Sequence, residues 1–224
     1  MNKIIGYLIL GIVVILAITL FFLNTTKISS SPNECISVFG GGSIGISILS
    51  EDIDIAREYA QFLVNSEPFS NFSDKFSFYY AGESECKLLD GNILFCYNKN
   101  SVRNAASCGS DYTIALSGIK STSRSSAYGN FMSINVYQPK SVLLHEFGHS
   151  FGNLADEYVP SDIPGQSKNC QKSCSSFLIS EGCFEGCSKS NYFRSSSSSV
   201  MRTLSTSNYG ELNLKLIENE LEKV

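Results

Sequence analysis

Residues 141–158 read SVLLHEFGHSFGNLADEY. The H-E-x-x-H inside that run, His145, Glu146 and His149, decides how the rest of the chain is read. The chain holds only two histidines, and both stand here. On an α-helix, positions i and i+4 share a face about 6 Å apart along the axis, so two imidazoles can close on one Zn²⁺ at about 2.0–2.1 Å each. Glu146, one step along, leans toward the same edge, where a carboxylate can take a proton from an activated water. Pro139 and Ser141 are start signals for the helix. Leu143, Phe147 and Phe151 form an apolar stripe that presses it onto a core. Gly152 and Asn153 tolerate a left-handed backbone and end it.

Zinc sites that do chemistry usually have three protein ligands and one open position. In the metzincin pattern H-E-x-x-H-x-x-G-x-x-H, the third histidine follows the second by six residues. Ala155 occupies that place here and offers no donor. Asp156 comes next, then Glu157 and Tyr158. If the chain reverses at Asn153 rather than Gly152, the step from Asn153 to Asp156 repeats the metzincin glycine-to-ligand spacing. Asp156 is therefore the expected third ligand and Glu157 the alternative. The plainer reading of this acidic pair is a solvated loop, or a clamp on one of the histidines.

HEFGHSFGNLADEY resembles the active-site signature HEFGHSFAGLADEY of the IgA-peptidase-type metallopeptidases (peptidase family M64). The sequence departs from it with Gly152-Asn153 in place of Ala-Gly, and Asn is the best non-glycine residue for a left-handed turn. The resemblance extends through EPF at 67–69 and Val200-Met201-Arg202, and covers most of residues 44–204. It implies a metzincin-like fold and peptide hydrolysis. It also implies a methionine turn beneath the metal, with Met201 as its residue, 52 positions after His149.

The remainder of the chain fits one extracytoplasmic domain. Residues 4–23, IIGYLILGIVVILAITLFFL, are uncharged and long enough to span a ~30 Å hydrocarbon core. Bulky FFL stands where a cleavable signal peptide would carry small residues, so an uncleaved anchor is expected, with residues 1–3 cytoplasmic. Residues 24–34 are a polar linker, and 35–224 the catalytic domain. The net charge of −4 without a basic block argues against nucleic acid as a partner. Nothing in the sequence specifies an oligomeric state.

The body of the chain reads as α+β with a mixed sheet. Strands are expected at 44–49, 76–80, 112–116 and 131–136, and a helix over 52–65 on Ile55, Tyr59, Phe62 and Leu63. By analogy with metzincins, the strand at 131–136 is the sheet edge above the cleft. Residues 117–130 form a polar loop, and the five serines at 195–199 an exposed one. Leu212, Leu216, Ile217, Leu221 and Val224 mark a C-terminal amphipathic helix. FGGGSIG at 39–45 lacks the Gly-Lys-Ser/Thr ending of a phosphate loop and precedes a strand.

Eight cysteines beyond an export signal read as disulfides. Cys170, Cys174, Cys183 and Cys187 form two C-x₃-C pairs, pictured as two short helical segments stapled face to face. The alternative is a four-cysteine structural zinc, whose usual spacing is tighter. Taken together, the residues describe a membrane-anchored zinc metallopeptidase acting on protein or peptide. His145, His149 and Asp156 hold Zn²⁺, and Glu146 serves as general base. The rival readings are a non-catalytic surface module with structural zinc and a zinc hydrolase of non-peptide substrates. An intact Glu146 argues against the first, and only the family resemblance against the second.

The uncharged run from Ile4 to Leu23 generates a first prediction. Full-length protein should fractionate with membranes and keep its N-terminus; a mature soluble form starting after residue 23 would show a cleaved signal instead.

Overall fold

A computed structural model describes residues 35–177, 179 and 181–224. The apolar segment 4–23 and the linker 24–34 lie outside the described residues, among which no helix is long and apolar enough to cross a membrane. The described chain is α+β. Strands β1 (Ile36–Gly40), β2 (Ile44–Leu49) and β3 (Phe76–Tyr80) come first, with helix α1 (Ile53–Val64) between β2 and β3. A hairpin of β4 (Lys87–Leu89) and β5 (Ile93–Phe95) and helix α2 (Lys99–Ala106) follow. Then come β6 (Tyr112–Ser117), β7 (Ser126–Tyr128), β8 (Phe131–Asn135) and the histidine helix α3 (Ser141–Ser150). A second hairpin, β9 (Phe184–Cys187) and β10 (Lys189–Arg194), precedes α4 (Glu211–Leu221).

The main sheet is mixed, in the order β1-β3-β2-β6-β8-β7. Its four inner strands run parallel, and the edge strands β1 and β7 antiparallel. Ile44, Ile46 and Ile48 are buried, and so are Ser47 and Leu49 from the other face of β2. A parallel strand covered on both faces requires this. Helix α1 starts where the Asp52 carboxylate accepts the Asp54 amide at 2.7 Å and buries Ala56, Tyr59, Ala60, Leu63 and Val64. The expected strand at 131–136 is present but interior. The edge is β7, inside the stretch expected to be a loop. The start of β7 is itself covered: the amide of Arg124 donates to Asn92, and its carbonyl accepts from Leu94, each at 2.8 Å. The β4–β5 hairpin, stapled by Cys86–Cys96, thus occupies the place where an added strand would begin.

Helix α3 is buried on more than a stripe, since Val142 and Leu144 join Leu143 and Phe147 in the core. Phe147 meets Phe69, the last residue of EPF, edge-on at 5.2 Å and stacks on Phe151 at 5.3 Å. Such pairs contribute about 0.5–1.5 kcal/mol beyond area burial. The Tyr209 hydroxyl donates to the Leu144 carbonyl. Gly148 has a packing reason: a Cβ there would stand 2.6 Å from the Met201 sulfur and 3.1 Å from the Tyr209 ring. Ser141 does not cap the helix; its hydroxyl donates to Leu204 at 2.6 Å.

Two loop expectations are corrected. Ser195, Ser196 and Ser199 are buried, while Ser197 and Ser198 are exposed as expected, so the serine run turns inward at both ends. The C-x₃-C pairs are nested, Cys170–Cys187 outside Cys174–Cys183. The second pair flanks strand β9 rather than a helix, with Cys183 just before it and Cys187 as its last residue, so a short 3₁₀ turn at Cys174–Ser176 faces a hairpin. With Cys35–Cys108 and Cys86–Cys96, all eight cysteines are in disulfides.

Peptide mapping without reduction should therefore recover these four pairs and no free thiol. The Cys35–Cys108 bridge spans 73 positions against 9 for Cys174–Cys183. On a chain-entropy basis its removal should cost about 4 kcal/mol, against roughly 2.5 for the shorter loop. Denaturant unfolding of the two double-serine variants checks the order.

Candidate metal centre

Helix α3 presents His145 and His149 from successive turns of one face, their rings perpendicular with centroids 4.7 Å apart. The chain then reverses at Asn153, which is left-handed (φ 48°), while the Leu154 amide returns to the Gly148 carbonyl at 3.1 Å. The Asn153 side chain donates to Gly165 at 2.9 Å, giving the turn an anchor that a glycine would lack. This reversal carries Asp156 back over the helix. Its Oδ1 lies 3.1 Å from His145 Nε2 and 3.2 Å from His149 Nε2, and the two Nε2 atoms are 3.1 Å apart.

The proton inventory of this triangle identifies its use. His145 Nδ1 is 2.9 Å from the Val200 carbonyl, and His149 Nδ1 2.7 Å from the Leu154 carbonyl. A carbonyl oxygen only accepts, so each Nδ1 carries the hydrogen, and each neutral ring turns a bare Nε2 lone pair inward. Ser161 donates to Asp156 Oδ2 at 2.5 Å, leaving Oδ1 buried with no hydrogen-bond donor of its own. Three lone-pair atoms about 3.1 Å apart repel unless a proton or a cation sits among them. The group His145, His149 and Asp156 can therefore hold a metal ion.

Electrostatics agree. Burial opposes charge on His149, but hydrogen bonding to Asp156 and the charges of Glu146 and Asp156 outweigh it and raise its pKa to about 8. Burial likewise works to raise Asp156, yet the hydrogen bonds that His145 and His149 donate once their Nε2 atoms are protonated hold the carboxyl far below the usual carboxylate range. Burial pushes Glu146 up, partly offset by the two histidines. Tyr158, stacked on His145 at 6.4 Å, is pushed up to about 12 by burial and by Asp156.

The structure separates the two acidic candidates. Glu157 turns away from the histidines into the core and is fully buried. It accepts from Ser199 at 2.6 Å, Asn213 at 2.9 Å and Asn169 at 3.3 Å, and its amide donates to Met201 at 2.8 Å. Glu157 is thus a clamp on the Ser199–Met201 segment, whose Val200 carbonyl orients His145. Met201 lies against Gly148, between the two histidine positions. Asn169 brackets Ala155, accepting from its amide at 2.8 Å and donating to its carbonyl at 2.9 Å. Sequence reading missed Asn169, Ser161, Ser199 and Asn213. Each is a polar residue without periodicity or motif, so only its tertiary partner reveals it.

Glu146 is buried in the helix but lines a cleft of about 490 Å³ together with His145, Tyr158, Gln138, Arg124 and Arg202. The site thus opens the Glu146 carboxylate and one of the three donor residues, His145, to a cavity of ligand size.

Two outcomes follow. Asp156→Ala should lose tight metal binding, while Glu157→Gln should keep the three donors and lower stability by about 1–3 kcal/mol through its unsatisfied partners. In the metal-free protein, the pKa of His149 lies above its ordinary 6.5. Its pairing with Asp156 therefore stabilises the fold fully below pH 6.5 and is lost as pH rises through about 8, a change of about 2 kcal/mol. Metal affinity should move the opposite way, rising up to about pH 8 as the competing proton leaves. Melts of chelator-stripped protein and metal-competition titrations across pH 6–9 check both slopes.

In comparisons with known proteins, no family model and no curated protein matches the chain.

Proposed function

We propose that the chain is a membrane-anchored zinc metallopeptidase with a metzincin-like catalytic domain outside the cytoplasm. The observation that carries this reading is the convergence of His145, His149 and Asp156, with His145 and Glu146 lining one cleft. The donor set, two imidazoles and a carboxylate, suits Zn²⁺. A tetrahedral zinc with ~2.0–2.1 Å bonds separates neighbouring donors by about 3.3–3.4 Å, close to the 3.1–3.2 Å found here. The methionine against the histidine helix and the mixed sheet fit the resemblance to the IgA-peptidase-type family. Four disulfides suit an oxidising compartment, and the apolar run at 4–23 supplies the anchor.

Bound zinc would supply Lewis acidity, lowering the pKa of a water and polarising a scissile carbonyl. The protein's own residues do the rest. Val200 and Leu154 fix both imidazoles in the Nδ1–H tautomer, so Nε2 is free to bind. Ser161 holds Asp156 with Oδ1 inward. Glu146 takes the proton from the attacking water and delivers it to the leaving amine. Its buried position raises its pKa, which strengthens it as a base. Tyr158, whose pKa near 12 keeps it protonated, keeps a hydroxyl donor at the cleft wall.

Glu146→Gln should retain stoichiometric zinc and lower peptide hydrolysis by about 10²–10⁴-fold. A protein that keeps zinc and shows unchanged hydrolysis would make the metal structural. Loss of hydrolysis toward esters or amides but none toward peptides would point to a non-peptide substrate.

A further inference from the structure

Some cations of this domain have acidic partners: Arg57 pairs with Asp54, Lys140 with Glu58, Lys189 with Asp162 and Lys223 with Glu220. Two others, Arg124 and Arg202, are set apart by their place: both line the cleft that holds Glu146 and His145. Among the described residues, neither has an ion pair. No side-chain hydrogen bond engages the guanidinium of Arg124, and that of Arg202 makes one long contact, 3.3 Å, to the Glu157 carbonyl. Both side chains are exposed to the cleft, with donors to spare.

Their backbones are not loose. The amide and carbonyl of Arg124 are both bonded to the β5 hairpin. The preceding turn is held by buried Asn135, whose amide donates to the carbonyls of Lys120 at 3.0 Å and Ser123 at 2.7 Å. Ser125 donates to Gln138 at 2.6 Å on the other side. Arg202 leaves the Ser199–Met201 segment that Glu157 clamps, its amide bonded to Ser199 at 3.0 Å. Two planar five-donor groups on fixed backbone, with Val142, Val200 and Leu204 supplying apolar wall, form a preorganised receptor for an oxyanion of matching geometry. Apolar wall lowers the local dielectric and strengthens the attraction.

Resting on the zinc-peptidase reading, we propose that this cleft selects substrates carrying a carboxylate next to the scissile bond, bound by Arg124 and Arg202. That carboxylate is either an acidic side chain or the free C-terminus of a peptide. Charge-assisted hydrogen bonds of this kind correspond to roughly 10- to 100-fold in selectivity.

The test uses full-length, zinc-loaded protein and matched peptides: Glu against Gln at each position flanking the cleaved bond, each with a free or amidated C-terminus. The expected result is a kcat/KM ratio of acid over amide of about 10–100, which falls toward 1 in Arg124→Gln and Arg202→Gln. Because the ratio compares two substrates on one enzyme, any effect of Arg124 on the basicity of Glu146 cancels. Dependence on the flanking Glu identifies the side chain as the source, and dependence on the free terminus identifies the C-terminal carboxylate. A ratio near 1 for both contrasts in the wild-type protein overturns the proposal and leaves the peptidase reading intact. A second arm needs no turnover: zinc-loaded Glu146→Gln should bind the acidic peptides about 10-fold or more tighter than the amides, and lose that preference when Arg124→Gln is added. Preferential binding without peptide cleavage by the wild type would sink the peptidase reading and keep the receptor; equal binding would sink the receptor.

Discussion

Two hydrogen bonds hold the centre in a usable state: His149 Nδ1 to the Leu154 carbonyl and His145 Nδ1 to the Val200 carbonyl. A histidine rotates and tautomerises freely unless its second nitrogen is engaged. Here each second nitrogen is engaged by backbone rather than by a side chain, so the orientation of the donors depends on where two loops run. The Leu154 carbonyl is placed by the left-handed turn at Asn153. The Val200 carbonyl is placed by a segment that would have little reason to lie under the helix without Glu157.

That makes the four residues Ala155 to Tyr158 a single device with four outlets. Ala155, fully buried, is bracketed by Asn169. Asp156 faces the histidines, Glu157 faces the core, and Tyr158 stacks on His145. The adjacent acids serve opposite ends because their side chains turn to opposite sides of this stretch. The carboxylate of Glu157 would be costly at zero exposure if it were unpaired. With three donors it becomes a tie between the 155–158 stretch, the serine run and helix α4.

The histidine helix, the strands at 44–49, 76–80 and 112–116, and α1 were legible because each shows a local period or motif. Asp156 was legible by spacing, and Asn153 as pivot by its tolerance of positive φ. What was not legible has a common physical cause. Ser195, Ser196 and Ser199 look like solvent residues, and only a buried carboxylate 42 positions away in sequence gives Ser199 a reason to be inside. β7 is three residues long, too short for alternation to register, and its pairing with β8 is a tertiary fact. The cysteine pairs lacked a readable second partner, since strand β9 carries Cys187 alone of one C-x₃-C and a 3₁₀ turn Cys174 alone of the other.

The nested disulfides bear on the metal site through the same backbone. Cys170 follows Asn169, the residue that brackets Ala155, and Cys187 precedes Ser188, whose hydroxyl donates to the Asp156 carbonyl at 2.7 Å. The Cys170–Cys187 bridge therefore joins the neighbours of the two residues, Asn169 and Ser188, that hold the stretch carrying Asp156. A loop-borne third ligand carries an entropic cost each time the site must be organised. Covalent closure next to both anchors reduces the freedom that binding would otherwise have to remove. The histidines need no such help, because helix α3 is packed in the core. In this domain the helix supplies two donors by packing, and the loop-rich C-terminal part, which holds two of the four disulfides, supplies the third by cross-linking.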